Sequence, residues 1–419
     1  MKTLKIGVCG VGNVGGAVLE NLANSPSIVE DNGGVRIEII QVGARKGKSV
    51  VPYDLDVVTD LMEVARNPNI DVLVELIGGC DLAKDLIEEA IKNGKHIVTA
   101  NKALIATYGD ELFELAKEKK VQIGFEASVA GGTPVIKALR EGLVANKVNW
   151  FAGILNGTTN FILSKMSENQ SSFKDALKEA QDLGFAEADP TADVEGHDAR
   201  SKISLLCRLT LGAWIKDESI SCTGISTLTA DDFEYAKILK SKIKLLGVCK
   251  SVNDGTGAEI FVSPVIVPLS NTIASVNGAT NIVEVRSKYL GTTYYVGAGA
   301  GRFPTATSIV SDMLEISMKK SPKPFPLKNN LTHQTDYPGK FYIRINIRDA
   351  TGIIRTVGQI CEENGVSIYA VLQIPILDKQ NVPFVITTDE TLASKVKTVV
   401  DSLEKQSWCL KRPLALPFL

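Results

Sequence analysis

A short apolar run at residues 4–9 leads directly into Gly10-Val11-Gly12-Asn13-Val14-Gly15, and an amphipathic stretch at 15–24 follows. The order strand, glycine turn, helix leaves few folds open. Gly10 permits the tight turn, Gly12 lets phosphates approach the backbone, and Gly15 lets the helix pack closely on the strand. The free N–H groups of Asn13, Val14 and Gly15 at the helix start then face those phosphates. Alone, such a turn needs no ligand. Within a βαβ unit it predicts a dinucleotide site.

The following residues supply that unit. Runs at 36–42, 71–76, 96–99 and 121–125 read as strands, with helices over 82–93 and 109–119. This alternation predicts an α/β, Rossmann-type parallel sheet domain over 1–134. From 135 to 299 the pattern changes, with helical stretches at 173–183 and 202–214 and strand-like runs at 258–267 and 292–296. That mixture predicts an α+β substrate-binding and dimerisation domain with a mixed sheet. Pro and Lys mark 319–336 as a linker. Over 337–419 the order is strand 341–347, helix 353–364, strands 367–373 and 382–388, helix 392–402 and a last strand near 408–412. This is ferredoxin-like logic.

Composition narrows the function. Forty-six basic against 48 acidic residues leave a net charge of −2, so no global field favours nucleic acid or an anionic membrane. Neither a signal-like start nor about 18 consecutive apolar residues occurs, and a cytoplasmic location is expected. Seven scattered cysteines without Cys-x-x-Cys read as reduced thiols. Three histidines, at 96, 197 and 333, are few for a zinc site.

The end of the second strand addresses the cofactor. NAD sites usually place Asp or Glu there, whereas this chain reads Gln41-Val42-Gly43-Ala44-Arg45-Lys46-Gly47-Lys48. Cations suit a 2′-phosphate, so NADP(H) is preferred, with NAD(H) as the alternative and a solvated basic loop as the plain reading. Small residues after Val74-Glu75, at Gly78-Gly79, leave room for ribose and nicotinamide. Lys102, just past another strand end, reads as a cofactor or substrate contact, or as a surface lysine.

Residues 180–202, AQDLGFAEADPTADVEGHDARSK, are the most informative run. Five carboxylates lie between Glu187 and Asp198, and a helix with apolar spacing follows. Asp198 and Lys202 are four apart and share a helix face. Either this is a charged loop and helix start, or it is a site for a substrate ammonium group.

The run resembles the homoserine dehydrogenase signature, Ala-x3-Gly-aromatic followed by Asp-Pro-x2-Asp-x2-Gly-x-Asp-x3-Lys. Asn101-Lys102-Ala103-Leu104, 126–134 (EASVAGGTP), 155–160 (LNGTTN) and 297–301 (GAGAG) resemble further blocks of that family in its order. The resemblance covers about 4–318, and the last module resembles an ACT domain. It implies interconversion of L-homoserine and L-aspartate 4-semialdehyde with NAD(P)(H). It implies Lys202 as acid/base, Lys102 as a second catalytic lysine near the nicotinamide, and Asp198 in the same pocket. Glu187 and Asp193 become substrate carboxylates. Glu126, Val129, Gly131 and Thr133 become a sodium-like monovalent cation site. Gly301 returns the chain to the cofactor, so 300–318 complete the first domain. The resemblance further implies a homodimer or homotetramer, a monofunctional enzyme, and threonine as an effector at 349–352 and 363–366. Two other readings stay open. One is a different metal-independent dehydrogenase for a small amino or 2-oxo acid; the other is a nucleotide-sensing regulator, for which no basic DNA-binding element is found.

Overall fold

The computed structural model describes residues 1–44, 57–212, 215–318, 331–374 and 379–419. Six parallel strands form the first sheet: β1 (Lys2–Cys9), β2 (Val35–Gly43), β3 (Val57–Val58), β4 (Val72–Glu75), β5 (His96–Thr99) and β6 (Ile123–Gly124). Their order is β3-β2-β1-β4-β5-β6, the doubly wound Rossmann arrangement. β4 is buried along its whole length because helices cover both faces of such a sheet. Those helices are α1 (Asn13–Asn24), α2 (Pro26–Gly33), α3 (Leu61–Arg66), α4 (Asp81–Lys92) and α5 (Lys102–Lys119). α5 begins well before residue 109, because the Asn101 side chain accepts from Leu104 N at 3.1 Å and caps it.

A 3-10 turn at Glu126–Ser128 leads out through α6 (Val135–Lys137) into the second region. There β7 (Val148–Ile154) is followed by α7 (Gly157–Asn169), α8 (Phe173–Asp182), α9 (Thr191–Val194) and α10 (His197–Leu211). Next come β8 (Ser221–Cys222), α11 (Ala230–Ile238), β9 (Ser241–Val252), β10 (Gly257–Pro268), β11 (Thr280–Ser287) and β12 (Gly291–Ala298). The sheet runs β12-β11-β7-β9-β10-β13, with β13 being Thr332–Gln334. It is mixed: β10 is antiparallel to β9 but parallel to β8 and β13. α12 (Arg302–Met318) then crosses back to the first sheet, where Ala306, Ile309 and Met313 join the core around Val18 and Leu22.

The C-terminal module opens with β14 (Pro338–Gly339) and β15 (Phe341–Ile347), then α13 (Ile353–Glu363), β16 (Ile368–Leu372) and β17 (Val382–Thr388). It closes with β18 (Thr391–Leu392), α14 (Ala393–Glu404) and β19 (Leu414–Pro417). Its antiparallel order β16-β17-β15-β19 is that of a ferredoxin-like ACT fold. Near 408–412 only an isolated bridge from Cys409 to Ile347 forms; Arg412 turns outward to Asp401 and Glu404, and the continuous last strand starts at Leu414. Stacked Phe261 and Tyr337 rings, 4.3 Å apart, join this module to the mixed sheet. No described helix is long and apolar enough to cross a membrane.

Candidate active site

The glycine turn has the shape its sequence predicts. Gly10 has φ +101°, and a Cβ on Gly15 would lie 1.9 Å from the Gly10 carbonyl oxygen. Around Gly12, by contrast, a Cβ would find nothing within 4 Å among the described residues. The turn is therefore closed inward and open outward at α1, whose first N–H groups, at Asn13, Val14 and Gly15, need acceptors. This is a cradle that fits a pyrophosphate. Gly301, with φ +122°, leads into α12. Arg302 there pairs with Glu20 of α1 at 2.6 Å, so the returning chain sits beside the turn. Arg45 and Lys46, read as 2′-phosphate ligands, lie outside the described residues.

At the carboxyl ends of β4 and β5, a chain of hydrogen bonds presents Lys102. Buried Glu75 accepts from Thr99 Oγ1 at 2.6 Å and from Ile77 N at 2.9 Å. Thr99 Oγ1 accepts from Asn101 N at 3.0 Å, and the Asn101 amide donates to Gly79 O at 2.6 Å. Lys102 is the first residue of α5, so this frame fixes where its side chain departs.

The acceptor for that side chain comes from the second region. Gly196, with φ +80°, starts α10 at His197, five residues before the predicted 202, so Asp198 and Lys202 stand one turn apart on one helix. Lys102 Nζ lies 2.6 Å from Asp198 Oδ1, and Lys202 Nζ lies 2.7 Å from Asp198 Oδ2. One carboxylate thus bridges ammonium groups from two domains. Burial alone would raise the Asp198 pKa, but the two lysines outweigh it and hold the carboxyl well below its ordinary range. Lys202 Nζ also donates to Leu155 O at 2.8 Å. Arg208 and Asp110, 2.9 Å apart, tie α10 to α5 and keep the two lysine-bearing elements in register.

Asn156 caps α7 through Oδ1, which accepts from Thr159 N at 2.8 Å. Its amide donates to Asp193 at 2.6 Å and to Asp198 at 2.9 Å. Burial raises the Asp193 pKa, against the hydrogen bond from Asn156. Asp193 is thereby joined to the lysine cluster. Glu187 is not: its exposed carboxylate makes no hydrogen bond or ion pair among the described residues. Sequence reasoning gave no role to Asn156, although an Asn ahead of Gly-Thr-Thr is a helix-cap signal, nor to the Leu155 carbonyl, which no side-chain pattern reveals.

The segment 126–133 is separate from these groups. The Glu126 carboxylate accepts from Ile136 N at 2.9 Å and from Lys137 N at 2.6 Å, and burial beside Asp312 pushes its pKa up to about 7. A cation here would therefore draw mainly on carbonyl oxygens, such as those of Val129 and Gly131. Gly131 O already accepts from Ser308 Oγ at 2.8 Å. The Thr133 hydroxyl is buried without a hydrogen-bond partner among the described residues, a polar atom available to a ligand. Oxygen donors of this kind suit hard cations.

Comparisons with known proteins follow the same blocks. The family model described as Homoserine dehydrogenase matches residues 134–314, and that described as Homoserine dehydrogenase, NAD binding domain matches 10–126. A homoserine dehydrogenase of Pseudomonas aeruginosa is 42% identical over 418 residues, covering 96% of each chain. One from Neisseria gonorrhoeae is 39% identical, covering 99% of this chain and 98% of its own. The crystal structure of a homoserine dehydrogenase from Thiobacillus denitrificans is 36% identical with a TM-score of 0.92, covering 100% of this chain and 99% of that one. A hyperthermophilic archaeal homoserine dehydrogenase in complex with NADPH is 28% identical with a TM-score of 0.64, covering 77% of this chain and all of that one.

Proposed function

The chain belongs to the homoserine dehydrogenase family, and we propose that it interconverts L-homoserine and L-aspartate 4-semialdehyde with Lys202 as acid/base. The observation that carries this reading is the Asp198 carboxylate shared by Lys102 and Lys202 at the joint between the two domains. The bound nicotinamide supplies or accepts hydride. The protein's own part is the proton and the charge on the reacting oxygen.

An ammonium group has three donors. Lys202 spends two, on Asp198 Oδ2 and Leu155 O, leaving one N–H for the substrate oxygen. As aldehyde is reduced, negative charge builds on that oxygen; Lys202 stabilises it and passes a proton to it. In the reverse direction the lysine takes the proton back. Lys102, approaching from the cofactor side, adds a second positive charge, and Asp198 keeps both ammonium groups oriented. Asp193, with Glu187 at the rim, reads the substrate ammonium group.

The proposed domains are 1–134 with 300–318 for the cofactor, 135–299 for substrate and dimerisation, and 337–419 for regulation. NADP(H) is the preferred cofactor, supported by the Arg45/Lys46 cations and by the archaeal relative's NADPH complex. A monovalent cation at 126–133 is a structural element, and the enzyme works in the cytoplasm as a homodimer or homotetramer. Threonine acts at the C-terminal module, near Gly352 at the start of α13 and the loop at its end. The test is a spectrophotometric assay with L-homoserine and each cofactor. Reduction of NADP by L-homoserine is expected; no turnover with either cofactor refutes the reading.

A further inference from the structure

The C-terminal module meets the mixed-sheet region along a seam of buried charge. Asp232 of α11 accepts from Tyr342 Oη at 2.8 Å and from Arg344 Nε at 2.7 Å. Arg344 also donates to Asn346 Oδ1 and to the Thr227 carbonyl, so this pair is satisfied and sealed. Beside it a cavity of about 960 Å³ opens between the two modules. Phe341, Val396, Val400 and Leu414 give it an apolar floor.

Its charged rim is unbalanced. Besides Arg344, Lys397, Lys411 and Arg412 line it, against the single carboxylate of Asp336. Lys397 and Arg412 are both paired with Asp401. Lys411 makes no ion pair within 4 Å among the described residues; partial desolvation and the neighbouring Arg344 guanidinium lower its pKa, against the opposing pull of Asp232 and Asp231. Such an ammonium is stabilised by an incoming anion. We propose that this interdomain cavity binds a small carboxylate with an aliphatic body, whose carboxylate group pairs with Lys411.

The far wall gives occupancy a route to the chemistry. Ser221, Thr223 and 226–229 line the cavity, and Gly224 and Ile225, between them, back onto the segment that starts α10. Ile225 N donates to Val194 O at 2.8 Å, and a Cβ on Gly224 would lie 2.5 Å from both Val194 O and the Glu195 carboxylate. Val194 and Glu195 run directly into Gly196 and the helix that carries Asp198 and Lys202. A ligand that shifts this wall shifts the first turn of α10. The binding is independent of the effector contact proposed near Gly352; only the coupling rests on the assignment of Lys202.

Isothermal titration of the full chain with L-isoleucine, L-methionine and 3-methyl-2-oxopentanoate tests the site. The oxo acid separates a need for the α-ammonium group, which Asp336 would read, from a need for the carboxylate alone. At least one probe should bind with a Kd of about 1 mM or tighter. Lys411→Gln should weaken it about tenfold or more. Ser226→Trp, which sets an indole into the cavity from its wall, should weaken it by a similar factor, and Asp349→Ala, at the remote loop, should leave it unchanged. Melting temperatures of the variants confirm that each is folded. Absence of binding by all three probes overturns the site, as does binding that survives both Lys411→Gln and Ser226→Trp. Binding that leaves kcat/KM unchanged at saturation overturns the coupling to α10.

Discussion

Replacing Lys202 by arginine separates the two duties assigned to that ammonium group. Arginine keeps the positive charge opposite Asp198 and can still donate hydrogen bonds, but it does not release a proton in proteins. Lys202 is only 12% exposed and holds two fixed acceptors, so its remaining N–H is the one that reaches a substrate. Proton transfer by a positioned side chain typically contributes about 10²–10⁴ in rate, or about 2.7–5.4 kcal/mol at ~1.36 kcal/mol per tenfold. Lys202→Arg should lose that factor in both directions while melting near the wild type. Lys202→Ala should lose as much activity and somewhat more stability. Its stability loss stays below the ~3–5 kcal/mol of an orphaned buried charge, because Lys102 remains 2.6 Å from Asp198 and Asn156 remains 2.9 Å away. The assay is absorbance of the reduced nicotinamide, with cofactor affinity measured separately by fluorescence and with methylammonium added to the alanine variant. Partial rescue by the amine is expected. Turnover of Lys202→Arg within about tenfold of the wild type would mean that the proton moves by another group.

Three further outcomes follow from the packing. Gly12→Ala should melt normally yet bind cofactor more weakly, whereas Gly15→Ala should disrupt the turn itself, its Cβ being directed 1.9 Å from the Gly10 carbonyl oxygen; equal melting temperatures for the two variants count against this. Asp232→Asn leaves Arg344 buried without its counter-charge and should cost about 3–5 kcal/mol in urea unfolding; a cost under about 1 kcal/mol would show the seam to be solvated. Burial, with Lys242 nearby, pushes Lys244 down to about 7, against about 10.4 in an unfolded chain. Between those values the unfolded chain binds more protons, so this lysine makes stability rise with pH across the window and fall as pH drops toward 7; Lys244→Met should flatten the slope in melts from pH 7 to 10, and an unchanged slope removes Lys244 as its source.

The Rossmann half was legible because strands buried on both faces appear as apolar runs, as in Val72-Leu73-Val74 of β4. The mixed sheet was harder to read. β9 carries Gly247, which weakens a strand signal, yet a Cβ there would come within 3.1 Å of Ile203 on α10. The glycine serves a helix distant in sequence, and periodicity does not register that. Local charge density does not tell which carboxylates of the run turn inward. Glu187 and Asp198 lie in one acidic run, but Asp189 turns back to accept from Thr191 N and Oγ1, and Glu187 stays at the surface while Asp193 and Asp198 go inside. Asn156 and Leu155, distant in sequence from that run, share its hydrogen bonds instead. The loop at 349–352 and that at 363–366 stand at opposite ends of the 11-residue α13, about 16 Å apart at 1.5 Å per residue. One small effector therefore cannot touch both loops within a single chain.

The shared carboxylate also bears on modularity. Each domain contributes an incomplete device: one a lysine framed by Asn101, Thr99 and Glu75, the other a lysine and the acid that serves them both. A chimera that joins the cofactor half of one relative to the substrate half of another thus transplants part of a circuit. Whether it closes is decided by the angle at which α5 meets α10, which the Arg208–Asp110 contact helps to set. Exchanging cofactor preference by swapping whole domains should therefore succeed only when that contact travels intact across the junction.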